Sequence, residues 1–335
     1  MLKKILRSQY GIQAEEEVQA GKYHACMKQG QIYFLVPAGG VDDEELSELE
    51  QMADHLTNSG EKYSSTFLKT KDGKQISEWE NERYCVLMNQ HVQNRKLNRI
   101  GRKLARFHYR GRSVSFPVKK MSRIGQWKQL WETRLDQMEK VWNGMLFGQP
   151  DNDFERMFIE SFPYYMGIAE NAIQYLVDTE LDDEPAITDS GTICHERFTA
   201  DTWGESYYLK NPFDWVFDHA SRDLAEWTRE KYFQNIRTYE PELLQLITDY
   251  QSLVPLSSFS WRLYYARILC PLHYFNCIES YYSTNSEQQK KMLEERLEKF
   301  LQQSDDHERF LSGFFEFAKV PVHKWKIPTL GWLKK

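Results

Sequence analysis

The spacing of hydrophobic residues changes character near residue 92. Before that point, short apolar runs are separated by turn residues, a pattern typical of β-strands. Two strands are predicted on either side of the turn 28–30, and the second of them covers residues 31–36. A further pair of strands is predicted around the polar turn 71–74, and it ends in the apolar run 84–88.

A helix is predicted between these two pairs of strands. Asp42 can cap its N-terminus, acidic residues follow in the first turn, and Gly60 ends it. Its apolar positions recur at helical spacing and are Leu46, Leu49, Met52, Ala53 and Leu56. The order strand, strand, helix, strand, strand predicts a compact α+β lobe over residues 1–92.

Helical periodicity dominates from residue 95 onward, and the first helix has one apolar face opposite a basic one. The apolar face consists of Leu97, Ile100, Leu104 and Phe107. Further amphipathic helices are predicted at 124–146, 154–179, 221–236, 241–253, 261–283 and 287–303. Pro271 should kink or break the helix that contains it.

These helices predict a larger lobe over residues 93–335. An extended connector at 89–94 is expected to join it to the first lobe. The only non-helical insertion predicted in the larger lobe is 186–220. A crevice between two lobes would place this insertion at a functional site.

Composition and charge exclude several classes of protein. A hydrophobic content of 41% is enough for one large domain or two lobes, and a net charge of -6 argues against a dedicated nucleic-acid-binding protein. No apolar run approaches the length of a membrane-spanning helix. The segment 1–13 lacks the apolar core of a signal peptide, so we expect a protein made and kept in the cytosol.

Two sets of residues have plain structural interpretations. The five cysteines show no C-x-x-C spacing and are predicted to be buried free thiols. The basic residues around the first helix of the larger lobe indicate a solvated surface or, alternatively, a docking face for an acidic partner protein, and the acidic balance of the chain disfavours nucleic acid. They are Arg95, Lys96, Arg99, Arg102, Lys103, Arg106, Arg110 and Arg112.

Four segments carry the candidate chemistry. In chain order they are GRKLARFH at 101–108, ICHERFTADTW at 193–203, NPFDWVFDHASRDLAEWTR at 211–229 and SWRLYYARILCPLHYFNCIESYY at 260–282. With the small sheet and helix ahead of them, they resemble the protein-kinase-like fold in its aminoglycoside/choline phosphotransferase branch. Within that branch, the chain resembles the spore-coat kinase-like proteins of endospore-forming bacilli, the CotS and YutH type.

The resemblance implies an α+β, bilobal fold, with a small mixed lobe of β-sheet and helix and a larger, mainly helical lobe. It also implies a catalytic loop at 193–203, where the family has H-G-D-x-x-x-x-N. His195 takes the place of the histidine, Glu196 of the glycine, Arg197 of the catalytic aspartate and Thr202 of the asparagine. A guanidinium accepts no proton, so Arg197 predicts that catalysis is impaired or lost. Glu196 and Asp201 are the carboxylates that could substitute.

The resemblance further implies a metal-motif region at 211–225. Asp214 matches the family's metal-binding aspartate, with Asp218 as a second carboxylate nearby. A hydrogen-bonding aspartate at a strand end is an equally good interpretation of Asp214, because one carboxylate coordinates a hard cation poorly. Asp223 matches an aspartate that braces the catalytic loop from the next helix.

The nucleotide end of the crevice also departs from the family. Val36 or Pro37 stands where the resemblance places a phosphate-binding lysine, and Lys28 in the preceding turn is no assured replacement. Candidates for the helix glutamate that would pair with that lysine are Glu45, Glu48 and Glu50. No Gly-rich phosphate loop is present, since Gly11 and Gly21 are isolated.

Two functions remain open, and a third possibility between them is a protein that binds nucleotide as a structural ligand without turnover. The first is a catalytically inactive kinase-like protein of the endospore coat, made in the mother-cell cytoplasm, with other coat proteins as partners and no cofactor. The second is an atypical phosphotransferase that uses Mg-ATP with Asp214. Aromatic residues within 264–282 are expected to pack in the core, although exposed tyrosines there would offer adhesive contact area.

Overall fold

A computed structural model describes residues 1–90, 99–204 and 208–333. The chain divides into two compact units. The first comprises residues 1–124, 190–227 and 245–255, and the second comprises 125–189, 228–244 and 256–335. The predicted boundary at residue 92, most of the 89–94 connector, Leu97, Arg95 and Lys96 lie outside the described residues, so the division at residue 92 stays a prediction.

The strands of the first unit form one six-stranded sheet and a separate pair. They are β1 Glu16–Ala20, β2 Tyr23–Lys28, β3 Gln31–Pro37, β4 Thr66–Leu68, β5 Ile76–Trp79, β6 Glu82–Asn89, β7 Thr192–His195 and β8 Trp215–Asp218. The large sheet has the order β1-β2-β3-β6-β4, with β5 also on β6, and its strand pairs are antiparallel. β7 pairs with β8, also antiparallel, and His195 lies opposite Trp215.

Most of the longer helices follow the predicted periodicity. The helices are α1 Leu2–Ile5, α2 Asp43–Asn58, α3 Ile100–Gly111, α4 Trp127–Met145, α5 Asp153–Asp182, α6 Ser221–Gln234, α7 Glu240–Gln251, α8 Ser258–Leu269, α9 Leu272–Ser283, α10 Glu287–Gln302, α11 Ser304–Phe317 and α12 Val322–Trp325. None of those described has the length and hydrophobicity that a bilayer span requires.

The start of α2 shows why the local prediction succeeded. The Asp42 carboxylate accepts the backbone N–H of Glu45 at 2.8 Å, and Glu45 accepts the backbone N–H of Asp42 at 3.0 Å. This reciprocal pair satisfies two donors that a helix N-terminus otherwise leaves free. The hairpin at 28–30 is also confirmed, with Gln29 and Gly30 in the left-handed region.

The predicted second pair of strands is present, since β4 pairs with β6, which contains the run 84–88. The prediction missed β5, which lies between them in the chain. The turn 71–74 joins β4 to β5, but both of these strands pair with β6 and not with each other. The hairpin turn lies instead at Glu80 and Asn81, with φ of 53° and 65°. Glu80 gives no turn signal, since glutamate rarely adopts a positive φ. The strand β1 was also missed, because EEVQA is polar and largely exposed.

Each face of the six-stranded sheet is covered. On one face, Phe34 and Val36 pack with Leu209, and Phe213 packs against them. On the other face, Leu2 and Ile5 of α1 pack on the sheet. Successive side chains of each strand point to opposite faces of the sheet, because the backbone is pleated.

The helix α3 approaches its neighbours at two glycines. A Cβ at Gly111 would lie 2.7 Å from Thr192 Oγ1 and 2.8 Å from the backbone nitrogen of Ile193. A Cβ at Gly101 would lie 2.3 Å from the carbonyl oxygen of Leu246. Glycine is therefore required where α3 meets β7 and α7. On its basic side, Arg102 pairs with Asp249 at 3.3 Å and Arg110 pairs with Glu61 at 2.7 Å.

The second unit is a helical assembly with an aromatic core. The rings of Tyr165 and Tyr274 stack with their centroids 3.8 Å apart. The predicted helix 261–283 is broken at Pro271 into α8 and α9, and its aromatic residues are buried apart from Tyr282. The prediction missed α11 and α12, and 186–220 is not the only non-helical insertion, because 112–126 contains no helix. All five cysteines are buried free thiols, as predicted.

Candidate functional site

His195 ends β7 and is held by Asp223 at the start of α6. The backbone N–H of His195 donates to Asp223 Oδ1 at 2.9 Å, and His195 Nδ1 donates to Asp223 Oδ2 at 2.7 Å. Trp203 Nε1 donates to His195 Nε2 at 2.9 Å. An indole nitrogen can only donate, so this bond assigns the ring proton of His195 to Nδ1. The ring lies fully buried among Phe107 and Phe198.

A second histidine completes this network. His108 Nε2 donates to Asp223 Oδ2 at 3.0 Å, and Tyr250 Oη lies 2.9 Å from His108 Nδ1, where it can donate. Burial lowers the pKa of His108, and Asp223 offsets only part of this. Burial alone would raise the pKa of Asp223, but the two histidine rings that face it outweigh burial and hold that pKa well below its usual range. Asp223 therefore joins α3, β7 and α6 as a buried anion with three donors.

His108, Cys194 and Asp223 also form a possible metal cluster, with ligand atoms within 4.8 Å of one another. Burial raises the pKa of the Cys194 thiol well above its ordinary value, so the sulfur stays protonated. Both oxygens of Asp223 already accept hydrogen bonds. The cluster is better suited to joining elements than to holding an ion.

Two carboxylates of the loop region, Glu196 and Asp218, are bound by one arginine. Arg222 lies 2.8 Å from Glu196 Oε1 and 2.8 Å from Asp218 Oδ2, and its Nε donates to the carbonyl of His195 at 2.9 Å. Asp218 is fully buried in this arrangement, so a metal ion from solvent does not reach it. Asp201 is exposed.

Arg197 and Thr202 are the two loop residues that the sequence analysis aligned with a catalytic aspartate and asparagine, and that alignment stays a prediction. Arg197 is exposed. Thr202 Oγ1 donates to the carbonyl of Arg197 at 3.1 Å and accepts the backbone N–H of Thr199 at 2.8 Å. The hydroxyl of Thr202 thus stabilises the turn of the loop itself.

Asp214 lies in a short 3-10 turn, Pro212–Asp214, immediately before β8. Its carbonyl accepts the backbone N–H of Glu196 at 2.7 Å, which ties the turn to the loop. Lys22 Nζ lies 3.2 Å from Asp214 Oδ1. Lys22 was missed by the sequence analysis, because β1 was missed and the turn between β1 and β2 was therefore not recognised.

The predicted departures at the nucleotide end can be located. Val36 is buried on the sheet face that Phe213 covers. Glu48 accepts the backbone N–H groups of Lys119, Lys120 and Met121, at 2.8, 3.1 and 2.9 Å. Of the other two candidates for the helix glutamate, Glu45 accepts the backbone N–H of Asp42 in the helix cap. Glu50 accepts a hydrogen bond from the side-chain amide of Gln75.

Lys210 is a buried lysine that the sequence analysis also overlooked. Its Nζ lies 3.1 Å from Glu61 Oε2 and 4.2 Å from the ring centroid of Trp203. Burial lowers the pKa of Lys210 to about 8, and Glu61 offsets only part of this. The bridge between Ser64 and Lys210 joins the segment after the loop to the start of β4.

A cavity of about 910 Å³ opens beside the turn between β1 and β2. Val18, Lys22, Val36, Asn211 and Asp214 are among the residues that line it. Its volume falls in the range of small-molecule sites. Asp214 is therefore accessible from a space large enough for a ligand.

Comparison with known proteins identifies the family. The family model described as "Spore coat putative kinase YutH" matches residues 3–314. The endospore coat-associated protein YutH of Bacillus subtilis (strain 168) is 41% identical over 336 residues, which cover 100% of this chain and 99% of that protein. The chain belongs to the YutH spore-coat family.

Solved structures agree on the fold. An aminoglycoside phosphotransferase from Alicyclobacillus acidocaldarius aligns over 91% of this chain and 93% of its own, with a TM-score of 0.65 and 13% identity. A spectinomycin phosphotransferase solved with ADP and spectinomycin aligns over 95% and 97%, with a TM-score of 0.60 and 14% identity. Both similarities show a kinase-like fold. They confirm the expected α+β fold, with a sheet-containing small lobe and a mainly helical larger one.

Proposed function

We propose that this member of the YutH family is a kinase-fold component of the endospore coat, or an interaction module in its assembly, which does not transfer phosphoryl groups. The homologue's description as an endospore coat-associated protein supports the location. Other coat proteins are then its partners, and synthesis takes place in the mother-cell cytoplasm. Its function needs neither nucleotide nor metal.

One observation supports the proposed loss of catalysis: three carboxylates in and beside the loop are each paired with a cation of the protein itself. Glu196 and Asp218 are bound by Arg222, and Asp214 is paired with Lys22. The predicted alignment with the phosphotransferase motif places Arg197, a permanent cation, at the position of the catalytic base. A group that must orient or accept a hydroxyl proton needs a free lone pair. The other carboxylate of the loop, Asp201, is exposed.

A melting-temperature titration with Mg-ATP tests this proposal, with Asp214→Ala as the comparison. We expect no upward shift of Tm in the native protein at millimolar Mg-ATP and no release of inorganic phosphate above the buffer. A fluorescent fusion carrying Asp214→Ala should reach the spore surface as the native fusion does. Phosphate release that Asp214→Ala abolishes would refute the proposal.

The cavity beside Asp214 favours a second candidate, an atypical phosphotransferase. Its volume of about 910 Å³ admits a nucleotide-sized ligand, and Asp214 lines it. In this case Mg-ATP would bind there, and Asp201 or a released Glu196 would orient the acceptor hydroxyl. The same titration would then show a raised Tm that is lost in Asp214→Ala.

A further inference from the structure

The turn between β1 and β2 is closed onto the segment that carries Asp214. A Cβ at Gly21 would lie 3.7 Å from the Cα of Gly204. Asn211 Nδ2 donates to the hydroxyl of Tyr23 at 2.6 Å. Lys22 Nζ donates to Asp214 Oδ1 at 3.2 Å. Three consecutive residues, two of the turn and the first of β2, therefore contact Gly204, Asn211 and Asp214.

The contact between Lys22 and Asp214 joins opposite charges. Burial alone would lower the pKa of Lys22, but the Asp214 carboxylate outweighs burial, and the pKa of Lys22 is raised. The Lys22 side chain is 67% exposed and that of Asp214 is 22% exposed. Lys22 is thus the more exposed partner of the pair, and both residues line the cavity.

The donors around Asp214 do not fit a divalent cation, although a kinase-like fold implies one. Magnesium requires several oxygen ligands in near-octahedral geometry. Asn211 Oδ1 already accepts the backbone N–H of Phe213 at 3.1 Å, and the Thr202 hydroxyl is held within the loop. The second carboxylate of the motif region, Asp218, is bound by Arg222. One carboxylate remains, and Lys22 occupies it.

We propose that Lys22 is a built-in cation that takes the place of a metal ion at Asp214 and, with the Tyr23–Asn211 hydrogen bond, closes the β1–β2 turn onto the segment 211–214. The positive charge that a metal would bring to this carboxylate is supplied by the chain itself. The turn is therefore closed in the protein alone, at any magnesium concentration. This inference deepens the proposed function, and it rests on that proposal in leaving Asp214 without a metal.

Paramagnetic Mn²⁺ tests the inference without any measurement of activity. Trp215 follows Asp214 directly, so its indole N–H signal in ¹⁵N-tryptophan-labelled protein reports a metal ion bound there. In the native protein, we expect this signal to survive millimolar Mn²⁺. In Lys22→Met it should broaden at a Mn²⁺ concentration up to about fivefold lower, because the loss of an exposed ion pair can change binding by at most about that factor.

Two variants make the comparison specific. Lys22→Arg keeps the charge and should behave as the native protein does, whereas Lys22→Met combined with Asp214→Asn should lose the gained broadening. Native Trp215 broadening that Asp214→Asn removes would overturn the inference. Equal Mn²⁺ responses in native protein and Lys22→Met would overturn it as well.

Amide hydrogen exchange gives an independent measure of the closed turn. The amides of residues 20–23 should exchange up to about fivefold faster in Lys22→Met, and those of the turn 28–30 should be unchanged. Lys28→Met, in that second turn, should leave residues 20–23 as protected as in the native protein, and an equal response to both variants would contradict the inference. The proposed function is judged separately by phosphate release, which leaves the Mn²⁺ and exchange results standing in either case.

Discussion

Asp223 and Asp214 are two aspartates of one motif region, and their surroundings differ in every respect. Asp223 is fully buried and accepts hydrogen bonds from His195 and His108. Asp214 is partly exposed beside a cavity and is paired with a mobile type of side chain, lysine. A buried anion is costly unless its partners are complete, whereas an exposed one is solvated by water.

The difference separates architecture from chemistry. The network of Asp223 holds three elements in one geometry, so a change there should disturb the fold of the first unit. The pair of Asp214 and Lys22 is open to solvent and salt, so a change there should be local. Under the proposed function, the network of Asp223 keeps the loop in a kinase-like geometry, and the pairing of Asp214 with Lys22 goes with the absence of phosphoryl transfer.

The largest effect is expected from Asp223→Asn. The amide would present a donor to at least one of the N–H groups that now face a carboxylate, and it would leave buried polar groups unpaired. We expect a loss of about 3–5 kcal/mol in the free energy of unfolding, measured by urea denaturation followed by circular dichroism. Asp214→Asn is the matched control, and equal losses in the two variants would remove the distinction drawn between the sites.

Gly111→Ala should be next in size. Its Cβ would meet the backbone nitrogen of Ile193, which cannot move without distorting β7. Overpacking of this kind costs about 1–3 kcal/mol in the free energy of unfolding. Gly313→Ala in α11 is the control: a Cβ there meets nothing within 4 Å, so the better helix former should stabilise by about 0.5–1 kcal/mol. A neutral Gly111→Ala would show that α3 and β7 are not in close contact.

Acid should destabilise the protein through histidines that are buried and neutral. Burial lowers the pKa of His108 and, in the second unit, lowers that of His307 to about 3. Their stabilising contribution is complete above the unfolded pKa of about 6.5 and is lost as pH falls below it, since only the unfolded chain then takes up the protons.

Below about pH 6.5, the free energy of unfolding should fall by about 1.4 kcal/mol per pH unit for each such histidine. Urea denaturation at pH values between 7.5 and 5 measures this fall. For His307 the loss should continue toward its folded pKa of about 3. His307→Gln should reduce this dependence of the free energy of unfolding on pH by about 1.4 kcal/mol per pH unit. A midpoint independent of pH over this range would mean that these rings are charged in the folded protein.

The sequence predicted the elements that depend on local signals and failed where pairing is long-range. The α2 cap and the 28–30 hairpin follow from adjacent residues, and both are confirmed. The strands β1 and β5 exist because of their partners β2 and β6, not because of their own polar sequences. Periodicity alone cannot show this.

The site divides in the same way. The order of the sequence motifs identified His195, Asp214 and Asp223 as candidate site residues. Their functional roles remain predictions. Trp203 and Arg222 gave no signal, because their importance lies in which ring nitrogen or carboxylate they reach across the fold. Lys22 required knowledge of the β1–β2 turn.

The smallest effect is expected for the exposed pair. Lys22→Met or Asp214→Asn should each lower the free energy of unfolding by less than about 1 kcal/mol, and the coupling between them should be of the same size. Salt screens exposed charges, so this coupling should disappear in 1 M NaCl. The buried pair of Lys210 and Glu61 is the control, because it is shielded from ions, and its coupling should persist at high salt. If the coupling of Lys22 and Asp214 survived 1 M NaCl, that pair would belong with the buried network of Asp223, and the contrast between the two aspartates would fail.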